Sequence, residues 1–155
     1  MKTQRIYVDT SVIGGCFDDE FAIWSKALMK DIENGLFRGV TSEIVQAEIA
    51  DAPINVRNQF LKFLKMDPEV LRINHESIGL VDSYVEHKIL AERFRNDMLH
   101  IALSTIAGVD ILVSWNFRHI VRYDKIRQFN AVNLEQGYNT LDIYSPREVT
   151  SYEKD

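Results

Sequence analysis

The chain has 155 residues, 46% apolar and 26% charged, with a formal net charge of −5, which is the balance of one globular domain and excludes a disordered or fibrous chain. The acidic excess also excludes indiscriminate binding to a polyanion, because neutralising phosphates takes Lys and Arg on the facing surface. Cys16 is the single cysteine, so no intrachain disulfide can form and no zinc cluster is indicated.

In chain order, residues 4 to 8 ("QRIYV") are expected to form a strand, with the Gly-Gly pair at 14 and 15 marking a loop. The segment 18 to 35 places Phe21, Ile23, Trp24, Ala27, Leu28 and Ile32 at helical spacing, with acids in its first turn and Gly35 as its C-cap. "LFRGV" follows as a strand, and Ser42 is placed to N-cap a helix "EIVQAEIA" that stops near Pro53. Pro53 then opens an amphipathic helix with Val56, Phe60, Phe63 and Leu64 on one side.

"VLRIN" reads as a short strand, followed by two helices, the second ending at Gly108. "DILVSW" is the clearest buried strand, "FRHIVRYDKIRQFNAVN" a basic helix-like segment, and "LDIYS" a last strand closed by "PREV". This alternation predicts an α/β fold with a central, mostly parallel sheet covered by helices on both faces. One domain over residues 1–155 is expected, its last few residues a flexible tail. The N-terminal apolar stretch is too short for a signal peptide, and no apolar run approaches the ~20 residues of a membrane helix. A protein of the reducing cytoplasm with no membrane attachment is therefore expected.

Ligands of open parallel sheets bind outside the carboxyl ends of the strands, and Asp9 stands at such an end. It reads equally as a turn or N-cap residue. Glu48 shares a helix face with Ile44 and Val45, so a carboxylate lies on an apolar side, whereas Glu43 is a solvated first-turn acid. Asp97 opens an otherwise apolar helix, where the dipole favours an acid; His100 and Ser104 lie on its side of that helix, a polar stripe of the kind that lines a cleft. Asn116 follows the "DILVSW" strand with Ser114 beside it, while Asp110 begins that strand and reads as a cap at the opposite edge. Several carboxylates sharing one pocket raise one another's pKa unless a cation intervenes. An all-oxygen donor set suits Mg²⁺ or Mn²⁺ rather than zinc.

Taken in order, "YVDTSVIGG", "TSEIVQAEIA", "NDMLHIALSTIAGVDILVSWNFRHI" and "LDIYSPREV" resemble the PIN-domain nucleases, in particular the VapC-type toxins of bacterial and archaeal toxin–antitoxin pairs, over nearly the whole chain. The resemblance implies a PIN-like three-layer α/β/α sandwich that binds Mg²⁺ or Mn²⁺ and cuts RNA, with a cognate antitoxin protein and a homodimer as its assemblies. It carries over to Asp9, Glu48 and Asp97 as catalytic, metal-binding acids, with Thr10, Ser11 and Ser114 in support. It also carries over to Asn116 as a fourth member of the metal-binding set, in the place where many relatives have an acid and some have Asn, a departure that bears on a second metal but not on the first. Hydrolysis of this kind uses a water of lowered pKa attacking the phosphodiester in line and needs no side-chain nucleophile; Cys16 is then a buried apolar residue.

Arg118 and Arg122, with His119, Lys125 and Arg127 nearby, would form a basic rim for RNA, and Lys88, Arg93 and Arg95 a second one. The apolar helices at 21 to 32 and 54 to 64 offer a dimer surface, although core packing also accounts for them. Two other functions are weighed. A PIN-like RNA- or protein-binding module of weak or no activity fits Asn116. A phosphotransfer enzyme with Asp9 as acceptor fits poorly, because a haloacid-dehalogenase-type site needs a second Asp where Ser11 stands.

Overall fold

The computed structural model describes residues 2–152; the tail expected at the C-terminus falls mainly on residues 153–155, outside the described residues. Five strands, β1 (Gln4–Val8), β2 (Phe37–Ser42), β3 (Glu69–Leu71), β4 (Ile111–Val113) and β5 (Asp142–Tyr144), form one sheet in the order β3-β2-β1-β4-β5. All four pairings are parallel. Strand β1 is central, and Ile6, Tyr7 and Val8 are fully buried, as a strand covered on both faces requires.

The helices are α1 (Thr10–Gly15), α2 (Ala22–Glu33), α3 (Glu43–Ala50), α4 (Ile54–Leu64), α5 (His75–Glu86), α6 (Arg95–Ala107), α7 (Tyr123–Glu135) and α8 (Pro146–Val149), with a 3₁₀ turn at Glu92–Phe94. Helix α1 packs on α2 and α4, and α2 on α8; α5 packs on α6 and α7. Helix α3 touches α1, α4 and α6 and so links the two groups. The result is the three-layer α/β/α sandwich, with a sheet that is parallel throughout.

Local chemistry explains most boundaries. The Ser42 side chain accepts from Val45 N at 3.3 Å and caps α3, and Gly108 ends α6 in the left-handed region at φ +65°. Two segments differ from expectation. The acids at 18 to 20 precede α2 rather than opening it, and Gly14 and Gly15 complete α1 rather than forming a loop. Asp9 starts that helix by accepting from Val12 N. Gly15 faces Ser25 Oγ and Trp115 Nε1, which a Cβ would meet at 2.6 and 2.8 Å, so glycine here allows close packing of α1 rather than a turn.

Candidate active site

In the order β3-β2-β1-β4-β5 the chain moves outward on one side of β1 and then returns to its other side, so the switch point lies between β1 and β4. The crevice beyond the carboxyl ends of two such strands is where doubly wound folds bind ligands. Asp9 follows β1 at this point, and Ser114 to Asn116 follow β4.

Asp9 is 3% exposed, and its Oδ1 accepts from Ser11 Oγ at 2.7 Å and Val12 N at 3.2 Å. Burial raises its pKa, against the opposing effects of His100 and the Ser11, Ser114 and Val12 hydrogen bonds. Ser11 Oγ also accepts from Trp115 N at 2.8 Å, fastening the end of α1 to the loop after β4. Ser114 Oγ accepts from Asn116 N at 2.9 Å and lies 3.4 Å from Ser11 Oγ. The hydroxyls next to Asp9 therefore shape the crevice wall.

Glu48, on α3, points toward α1 and α6. Its Oε1 accepts from Thr10 Oγ1 and from His100 Nε2, both at 2.7 Å. Burial acts to raise its pKa, but the hydrogen bond and charge of His100, with the Thr10 hydroxyl, outweigh it and hold the carboxyl below its ordinary value. His100 is buried; desolvation alone would lower its pKa, yet the Glu48 hydrogen bond and the charges of Asp9, Glu48 and Asp97 raise it. Glu48 and this buried imidazole are thus direct partners, each favouring the charged form of the other.

Asp97, in the first turn of α6, accepts from His119 Nδ1 at 2.7 Å rather than capping its own helix. The His119 ring lies 4.2 Å from that of Phe94, and its backbone N donates to Asn116 Oδ1 at 2.9 Å. The Asn116 side chain oxygen is therefore engaged in the turn after β4. Among the described residues no group of three His, Cys, Asp or Glu side chains stands ready to hold a metal ion. The donor chemistry of Asp9, Glu48 and Asp97 nevertheless fits Mg²⁺, which keeps several waters and takes one or two carboxylates together with substrate phosphates. Burial penalises the charged form of Asp9, a penalty that a bound cation would relieve.

Much of the expected basic rim is engaged elsewhere. Arg122 pairs with Asp124 at 2.8 Å, Lys125 donates to Ile89 O, Arg95 pairs with Asp82 and Glu92, and Arg127 donates to Tyr123 Oη. Arg118 is exposed on the loop that carries Asn116. The sequence did not single out Tyr7, whose hydroxyl meets His100 Nδ1 at 2.7 Å, because a tyrosine in a buried strand reads as core. His119 was placed in the basic rim, whereas its ring belongs to Asp97.

Among solved structures, the chain is similar to VapBC2 from Rickettsia felis bound to a DNA fragment from their promoter, at TM-score 0.60 and 12% identity, covering 92% of this chain and 98% of that one. It is also similar to FitAcB from Neisseria gonorrhoeae, at TM-score 0.58 and 15% identity, covering 93% and 99%. No protein-family model and no curated protein matches the sequence. At these identities the likeness shows the fold, a PIN-like α/β/α sandwich.

Proposed function

We propose that this chain is a Mg²⁺- or Mn²⁺-dependent endoribonuclease of the VapC type, the toxin of a cytoplasmic toxin–antitoxin pair. The observation that carries the proposal is geometric: buried Asp9 follows β1 at the switch point of the sheet, Glu48 is bonded there to Thr10 and His100, and Asp97 is bonded to His119 on the loop after β4. Asp9, with Glu48 or Asp97, would hold the ion. Once bound, Mg²⁺ supplies a water of lowered pKa and offsets charge on the phosphate. Thr10, Ser11 and Ser114 keep the carboxylates and the β4 loop in place, and Arg118 offers a phosphate contact beside the crevice. The structural similarity to VapBC2 and FitAcB supports an antitoxin protein as partner. No described helix is long and apolar enough to cross a membrane. The exposed Ile23 on α2 and Ile54 and Leu61 on α4 are available to a second copy in a homodimer.

The engaged Asn116 and the lack of a preformed three-ligand cluster among the described residues favour one competing function, a binding module of weak activity. One assay separates the two. Incubated with RNA, the wild type is expected to cut with Mg²⁺ or Mn²⁺ and not with EDTA, and Asp9→Asn to lose at least about a hundredfold of the rate. Metal binding without turnover in the wild type would establish the binding module instead.

A further inference from the structure

Tyr7 is fully buried on β1, and its hydroxyl reaches two elements at once, 2.7 Å from His100 Nδ1 on α6 and 2.7 Å from Ser42 Oγ at the start of α3. Nothing in the hydrolytic chemistry above uses it. Its placement nevertheless closes a ring. Ser42 caps α3, α3 carries Glu48, Glu48 accepts from His100, and His100 returns to Tyr7.

The direction of these bonds follows from the donor inventory. His100 Nε2 lies 2.7 Å from a carboxylate oxygen, which can only accept, so Nε2 carries the proton in both charge states of the ring. In the neutral ring Nδ1 is then bare and accepts the Tyr7 O–H, and the Tyr7 oxygen accepts the Ser42 O–H. Ser42 still accepts from Val45 N. Every proton in the chain has an acceptor, and the alternative tautomer would set two lone pairs against each other at Glu48. The bonds to Glu48 from His100 and Thr10 both fall on Oε1, and among the described residues no hydrogen bond falls on Oε2.

We propose that Tyr7 and His100 are positioning residues: the Tyr7 hydroxyl fixes the His100 ring so that its Nε2–H holds Oε1 of Glu48 and turns Oε2 to the crevice. The functional part of this inference rests on the proposed hydrolysis; the geometric part does not. Partners that orient a metal-binding or catalytic group commonly change activity without themselves touching the substrate.

Tyr7→Phe is the test, because it removes one buried oxygen and preserves the ring. With Mg²⁺ and a mixed-sequence RNA oligonucleotide, kcat is expected to fall roughly ten- to hundredfold while KM is unchanged. His100→Gln, whose amide can still donate to Glu48, is expected to retain more activity than His100→Leu. The readout independent of RNA is the ¹⁵N NMR spectrum of the imidazoles under alkaline conditions. The wild type is expected to show one slowly exchanging Nε2–H signal for His100, and Tyr7→Phe to broaden it or mix the tautomers. An unchanged His100 signal in Tyr7→Phe overturns the inference, whether or not kcat falls, because the hydroxyl would then act elsewhere. A changed signal with wild-type kcat overturns the functional part. If the wild type cuts no RNA but the signal changes as expected, the nuclease proposal fails while the Tyr7–His100–Glu48 geometry stands.

Discussion

At the N-terminal edge of the sheet Asp110 accepts the Arg5 backbone N–H at 2.7 Å, and the Arg5 guanidinium takes both oxygens of Glu69 at 2.8 Å while donating to Ala107 O. At the carboxyl edge, Asp9 is buried with hydroxyl and amide donors, Glu48 and Asp97 face imidazoles, and among the described residues no Lys or Arg pairs with any of the three. At one edge Glu69 is paired with a guanidinium and Asp110 with a backbone amide, whereas at the other, among the described residues, Glu48 and Asp97 have only imidazole and hydroxyl partners and Asp9 only hydroxyl and amide donors. A carboxylate buried without a strong counter-charge costs stability, and its presence at a ligand-binding crevice is the mark of a site rather than of a fold. The comparison bears on the nuclease proposal, since at the carboxyl edge three acids converge with no Lys or Arg partner among the described residues.

Three perturbations sharpen this contrast. The largest effect on stability is expected from Gly15→Ala, whose new methyl would meet Ser25 Oγ and Trp115 Nε1 at 2.6 and 2.8 Å; overpacking of this kind costs about 1–3 kcal/mol in urea unfolding. Wild-type stability in Gly15→Ala would show that Ser25 and Trp115 can yield to the methyl, so that α1 does not depend on this close approach. Next, Asp9→Asn and Asp110→Asn should move stability in opposite directions. Burial raises the Asp9 pKa, so its charged form opposes folding above the ordinary carboxylate range, and the amide relieves this. If the relief is about 1 kcal/mol, the melting temperature in EDTA rises by about 2–4 °C. Asp110→Asn weakens the bond to Arg5 N and lowers it by less. A fall for Asp9→Asn would mean that its charge is already compensated.

The smallest effect is the pH dependence of the Glu48–His100 pair. Glu48 titrates below its ordinary value and His100 above its own. The stabilisation from Glu48 is present above the ordinary carboxylate range and fades as pH falls through its lowered pKa. That from His100 is complete below about pH 6.5 and fades as pH rises through its raised pKa. The difference in unfolding free energy between wild type and Glu48→Gln should therefore peak in mildly acid solution and shrink toward alkaline pH. A difference that stays flat across this range would separate the two groups energetically.

The parts of this site that are local in sequence were legible there. Asp9 at the tip of an apolar strand, Ser42 as a cap with Glu48 on the buried side of the next helix, and Asp97 on an apolar helix all follow from periodicity and position. The pairings do not, because they join residues far apart: Tyr7 meets His100 across 93 positions, His100 meets Glu48 across 52, and His119 meets Asp97 across 22. Gly14 and Gly15 misled for a related reason. Two adjacent glycines signal a loop locally, whereas close approach to Ser25 and Trp115 explains Gly15, and neither partner is visible in the local pattern. The basic segment after Asn116 likewise looked free, but Arg122 and Lys125 find partners at Asp124 and at the Ile89 carbonyl.

The claim on which the account turns is that the acids of the carboxyl edge share one cation, and calorimetric titration of Mn²⁺ into the wild type and Asp9→Asn tests it most directly. Saturable binding by the wild type, weakened at least roughly tenfold in Asp9→Asn, is the expected result. Equal affinity in the two proteins, or no binding by the wild type, would contradict it.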